Sequence, residues 1–281
     1  MEDSQCLQRV IDKVKQWCDE WLLPLNVSKC NVMSFTSKVN LDTSYCIRNK
    51  DSRHIIQKVD SIKDLGILFD TRLNFKDHIQ EKINKAYNMI GLLKRNFIHV
   101  DCYTFILLYK ALVRPHLEYA NSVWSPYKKC DIEQVEKIQR RATKLVISLR
   151  KFPYKERLLR LNLYTLKYRR LRGDMIEVFK LVNNVYDNRV APSLSYDMYV
   201  TRGNKFKLQN QSFNHNYRKF FFSARIVNMW NSLPNYVVDV QSIDVFRVHL
   251  DQLWAQQEVM FDWTADLTGT GDRSEYTVES N

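Results

Sequence analysis

From about residue 75 to residue 183, nearly every apolar side chain recurs at helical spacing, and this restricts the chain to folds with a helical core. Ile79, Ile83, Ala86, Tyr87, Ile90 and Leu93 make one face, and Phe105, Leu108, Leu112 and Val113 make the next. Asp131, with Gln134 three residues on, predicts a capping box ahead of the stripe Val135, Ile138, Ala142 and Leu145. A further helical run is expected over 165–182. Stripes of this kind point to the core of a bundle rather than to a ligand pocket.

The flanks read differently. Leu7, Val10, Ile11, Val14, Trp17 and Trp21 predict one helix, ended by Pro24. Short strands are expected over 32–35 and 65–69, with a hairpin formed by 45–48 and 54–59. Turn formers dominate 186–217, where irregular structure with short strands is expected. Ser242 should cap a last helix whose apolar face is Val245, Phe246, Leu250 and Trp254. The acidic stretch 262–281, with Gly269 and Gly271, is expected to be disordered. The fold class expected is α+β, predominantly helical.

Charge is the second constraint. The 281 residues carry 43 Lys and Arg against 31 Asp and Glu, a net of +12. Residues 128–172 hold fifteen of the bases and four acids, a local excess of +11. The bases cluster around Arg140, Arg141 and Lys144, Arg150 and Lys151, Lys155, Arg157 and Arg160, and Lys167, Arg169, Arg170 and Arg172, with Phe152, Tyr154, Tyr164 and Tyr168 among them. Each base that neutralises a phosphate releases a condensed counterion, so such a surface suits a polyanion gripped without base reading. A solvated helical face is the alternative reading.

Several chemistries find no residues. Two-metal nucleotidyl transfer needs converging carboxylates, and the sequence has no adjacent Asp-Asp pair. It has no phosphate-loop motif and no G-x-S-x-G elbow. The six cysteines form no C-x-x-C pair and read as reduced thiols, which leads us to expect a nuclear or cytoplasmic protein. Neither a signal peptide nor an apolar run of bilayer length is visible.

A series of short blocks then occurs in order. They are Leu25-Asn26-Val27-Ser28-Lys29-Cys30, Asp64-Leu65-Gly66-Ile67-Leu68-Phe69-Asp70, Leu112-Val113-Arg114-Pro115-His116-Leu117-Glu118-Tyr119, and Ile138-Gln139-Arg140-Arg141-Ala142-Thr143-Lys144. Tyr154-Lys155-Glu156-Arg157-Leu158, Arg169-Arg170-Leu171-Arg172-Gly173-Asp174, Thr201-Arg202-Gly203-Asn204 and Trp230-Asn231-Ser232-Leu233-Pro234 follow, then Phe246 with Leu250-Asp251. Together, over roughly residues 5–254, they resemble the C-terminal portion of reverse transcriptases from jockey-like and chicken-repeat-type non-LTR retrotransposons.

The resemblance implies a palm remnant over 1–74, a helical thumb over 75–184, a C-terminal extension over 185–261 and an acidic tail over 262–281. It implies that Lys29 and Asn26 lie near the nucleotide and its pyrophosphate, and that Leu65 and Gly66 belong to a primer-grip-like turn. It implies an RNA–DNA hybrid or duplex as partner, held with little sequence preference through Arg140, Arg141, Lys144, Arg157, Lys167, Arg169, Arg170 and Arg172. The fingers, the first catalytic Asp block and the Y-x-D-D loop belong upstream of Met1 in the family. The chain is therefore expected to be an incomplete RNA-directed DNA polymerase, with no catalytic residues, no metal site and no cofactor of its own, magnesium serving the complete parent enzyme. The alternatives are a chain that polymerises when a separate fragment supplies the aspartates, and a host-retained helical module that binds nucleic acid or protein without polymerase activity.

Overall fold

The computed structural model describes residues 2–35, 43–49, 52–187, 189–196, 204–210 and 216–270. It divides into two compact units, Met1–His78 and Ile79–Asn281.

The first unit opens with α1 (Glu2–Glu20). It ends before Pro24 as expected, through a left-handed Leu22 (φ 54°) and a Leu23 N–H donated to Cys18 O at 2.8 Å. A 3₁₀ turn spans Val27–Lys29. Three two-stranded ladders follow. β1 (Asn31–Val32) pairs in parallel with β4 (Gln57–Lys58), β2 (Cys46–Asn49) in antiparallel with β3 (Ser52–Ile55), and β5 (Ser61–Asp64) in antiparallel with β6 (Ile67–Asp70). Gln8 substitutes for a missing strand beside β2, giving its amide N–H to Cys46 O (2.7 Å) and accepting Cys46 N–H (2.9 Å). The strand expected over 65–69 starts two residues later, because Leu65 (φ 45°) and Gly66 (φ 82°) form the two-residue turn between β5 and β6. Both positive φ values suit a hairpin that follows the twist of its strands, at a cost for Leu65 that a glycine would not incur. The Asp70 carboxylate then accepts three backbone N–H groups, from Arg72, Asn74 and Phe75, and turns the chain into α2 (Lys76–Asn96). Buried His78 accepts Leu68 N–H on Nδ1 at 3.0 Å, so its ring proton sits on Nε2.

The second unit is helical. α3 (Cys102–Leu108), capped by Asp101, passes through a π turn over Tyr109–Val113 into α4 (Arg114–Glu118). The π turn accommodates one residue more than an α turn and rotates the buried face. Phe105, Tyr109, Val113 and Leu117 are buried, whereas Leu112, expected on that face, is 43% exposed. α5 (Asn121–Trp124) and α6 (Lys129–Ala142) come next. The capping box expected at Asp131 and Gln134 is not formed. The helix starts earlier, behind Lys128, and Asp131 sits inside its first turn. Single 3₁₀ turns over Thr143–Leu145 and Ile147–Leu149 lead to α7 (Tyr154–Leu161) and α8 (Leu166–Val182).

α8 organises the principal core. Its Met175, Val178, Phe179 and Val182 pack with α10 (Phe222–Arg225), α11 (Val227–Ser232), α12 (Asn235–Val238) and α13 (Ile243–Leu253), which follow the short α9 (Asn216–Lys219). Ser242 caps α13 as expected, and Phe246, Leu250 and Trp254 are buried, but Val245 is 43% exposed. The boundary expected at 184/185 therefore cuts through one continuous core. Thr165 closes that core. It caps α8, accepting Tyr168 N–H, while its hydroxyl donates to Val259 O and its amide to Met260 O. Residues 262–270 are not the disordered segment that their composition predicts. Ala265 and Leu267 pack on the core, Lys167 Nζ donates to Ala265 O and Asp266, and Thr268 bonds Gln257. Residues 271–281 and the block Thr201-Arg202-Gly203 lie outside the described residues.

Among the described residues no helix is long and apolar enough to cross a membrane, and the six cysteines are free thiols.

Candidate nucleic-acid interface

The basic blocks of the sequence separate into two kinds in three dimensions. One kind braces the fold. Arg169 forms a bidentate ion pair with Glu118, and burial, which disfavours its charge, is outweighed by that carboxylate, so its pKa is held up. Arg172 pairs with Asp251 at 2.5 and 2.7 Å, a hydrogen bond that raises its pKa. Lys167 is held by Asp266. Arg170 is 4% exposed; burial pushes its guanidinium down, Glu136 and Asp174 oppose this, and neither Nη atom has a hydrogen-bond partner among the described residues. Arg157 is 2% exposed, and among the described residues its guanidinium makes one hydrogen bond, from Nη2 to Arg140 O at 3.3 Å. These five bases, expected to hold phosphates, are thus buried or already paired. A buried or paired base gives up existing contacts before it can meet a phosphate.

The same pairs join blocks that are distant in the sequence. Glu118 belongs to the block around Pro115, Arg169 and Arg172 to the block ending in Asp174, and Asp251 to the last block. Arg225 completes the set with a bidentate bond to Asp174 (2.9 and 3.0 Å), adding bonds to Asn121 O, Ser122 O and Phe220 O. Likewise Asn204 Nδ2 bonds the carbonyls of Trp230 and Leu233, and Asn231 exchanges two hydrogen bonds with Leu208.

Arg140 stands between the two kinds. Its guanidinium lies 5.5 Å from the Tyr154 ring and 5.6 Å from the Trp263 ring. Tyr154 in turn donates to Glu136 at 2.6 Å, and burial pushes the Tyr154 phenol well above its usual range.

The second kind faces a groove. An isolated parallel bridge between Val100 and Val146 brings the residues after α2 beside the 3₁₀ turns that follow α6. The groove there, with a volume of about 700 Å³, is rimmed by Lys94, Arg141, Lys144 and Arg150, and no acid among the described residues lines it. The four are on the surface, and none has an ion pair or hydrogen bond to a carboxylate among the described residues. Arg141 lies 5.3 Å over the Tyr87 ring, which orients its guanidinium without neutralising it. Of the eight bases expected to bind nucleic acid, Arg141 and Lys144 are in this groove. Lys94 and Arg150 were missed as site residues. Lys94 lies on α2, far in sequence from the basic stretch, and the Val100–Val146 bridge and the Arg141–Tyr87 contact bring the two regions together.

In the first unit, Lys29 and Asn26 are exposed on the 3₁₀ turn, where Asn26 Oδ1 accepts the Ser28 hydroxyl at 2.6 Å. Leu65, 81% exposed, and Gly66 form the tip of the β5–β6 hairpin. Among the described residues no three His, Cys, Asp or Glu side chains converge as metal ligands.

Comparison with known proteins gives a consistent direction. The chain is 24% identical over 144 residues to the RNA-directed DNA polymerase from mobile element jockey of Drosophila funebris, a stretch covering 50% of this chain and 15% of the relative. The Drosophila melanogaster jockey polymerase is 27% identical over 47% of this chain and 14% of its own length. A probable RNA-directed DNA polymerase from transposon X-element of the same species is 22% identical over 48% of this chain and 15% of the relative. The chain thus matches a small part of these curated relatives. No family model matches it, and no solved structure does.

Proposed function

We propose that this chain, similar over about half its length to the reverse transcriptases of non-LTR mobile elements, acts as a nucleic-acid grip of the thumb type, with the groove of Lys94, Arg141, Lys144 and Arg150 as its phosphate-binding surface. The observation that carries the proposal is the collection, from two separate sequence regions around one groove, of four bases that have no carboxylate partner among the described residues. Its ligand is an RNA–DNA hybrid or duplex contacted through the backbone, so affinity is independent of sequence.

In a titration of fluorescent duplex or hybrid at several salt concentrations, log affinity should fall linearly with log salt, by about 0.9 per phosphate contact. Replacing Lys94, Arg141, Lys144 and Arg150 with Ala should flatten that slope by roughly three to four units if all four touch phosphate. An unchanged slope in a folded variant would remove the grip from this groove. Absence of binding by the unmodified chain at physiological salt would favour a protein-interaction module instead.

The chain alone should show no template-dependent primer extension with Mg²⁺ or Mn²⁺, because no carboxylate cluster exists among its described residues to hold two metal ions. Incorporation above a no-protein control would overturn this. Incorporation only after addition of a fragment carrying the catalytic aspartates would favour a split polymerase.

A further inference from the structure

We infer that the basic groove takes an unpaired nucleobase as well as phosphates, so that its full ligand is the single-stranded flank adjoining a duplex; this rests on the nucleic-acid reading above. The groove is not only cationic. Phe97 is 39% exposed, Ile98 78% and Ile147 53%, and all three line it together with Tyr87. A duplex presents phosphates to such a surface and keeps its bases stacked inside, so contact with a duplex would engage the bases Lys94, Arg141, Lys144 and Arg150 and leave this apolar lining wet. An unpaired base offers a flat π-face to the apolar lining while its own phosphate meets the cations.

The dimensions agree. A volume of about 700 Å³ lies within the span of sites that enclose a small organic ligand, which suits one or two nucleotides. The Arg141 guanidinium, 5.3 Å from the Tyr87 ring centroid, offers a planar cation to a further ring. Charge selects the occupant: an apolar peptide would leave four cations without counter-charge, and no acid among the described residues lines the groove to supply it.

The test uses the full chain and three probes at one salt concentration: a blunt duplex, the same duplex with a four-nucleotide single-stranded overhang, and that overhang built from abasic residues that keep every phosphate. The overhang should bind about tenfold tighter than the blunt duplex, and the abasic overhang should lose most of that gain. Phe97→Ala with Ile98→Ser should bring the intact overhang down to the abasic value. Both positions are exposed, and Ile147→Ser serves as an independent second variant if the pair lowers thermal stability. Equal affinity for intact and abasic overhangs overturns the inference while leaving the phosphate grip standing, provided the four-alanine variant still flattens the salt slope. Failure of all three probes to bind overturns the grip and the inference together.

Discussion

Replacing Asp174 with Ala should cost about 3–5 kcal/mol of folding stability, the range for removing one partner of a buried ion pair. Asp174 is 3% exposed and takes both prongs of the Arg225 guanidinium, whose remaining donors tie α10 to the chain at Asn121 and Ser122. It also offsets the charge of Arg170, which is wholly enclosed. Without the carboxylate, two guanidinium groups remain in a low-dielectric interior with Glu136 and Glu118 to balance them. Urea unfolding should show a lower midpoint at unchanged slope. The Asp174→Ala, Arg225→Ala double variant should lose less than the sum of the two single losses, since the pair acts as a unit. A loss under 1 kcal/mol for Asp174→Ala would mean that the pair is not buried in solution.

Trp230→Ala should be comparably severe, about 3–5 kcal/mol, because it empties the centre of the core built around α8. Trp230 is fully buried, lies 6.1 Å from the Phe246 ring and donates its indole N–H to Phe206 O at 2.8 Å. Trp230→Phe separates the two contributions. It keeps a ring in the core but leaves the Phe206 carbonyl unpaired, a loss of about 1–3 kcal/mol. The expected order of thermal midpoints is wild type, Phe, Ala. A Phe variant as unstable as the Ala variant would assign the effect to the hydrogen bond rather than to packing.

The helices were legible wherever the apolar period is uninterrupted, as in α2 and α8, and where a hydroxyl marks the start, as at Ser242. Period failed where hydrogen bonding changed along a helix. The π turn at Tyr109 moved Leu112 outward and Leu117 inward, and no composition signal marks such a turn. Asp131 looked like a cap because Gln134 follows it, but the helix had begun before it.

The site was legible as a region and not as a surface. Counting charge over 128–172 located an excess, yet a count cannot tell an exposed Arg141 from an enclosed Arg157 or from an Arg172 committed to Asp251. The carboxylates that neutralise those bases are distant in sequence: Glu118 is 51 residues from Arg169, and Asp251 is 79 from Arg172. The groove bases were split the same way, with Lys94 outside the counted stretch.

The dependence of α8 on residues 204–260 has a consequence for synthesis. Thr165, at the head of α8, bonds a carbonyl 94 residues further along the chain. Closing a loop of that length carries an entropic charge that local helix contacts do not. At about 5–20 residues per second, the apolar face of α8 leaves the ribosome on the order of ten seconds before the helices that cover it. Through that interval the nascent chain carries an unsheltered hydrophobic helix, the kind of surface that holdase chaperones recognise. Overproduction of this protein should accordingly be limited by association of nascent chains more than by the stability of the finished fold.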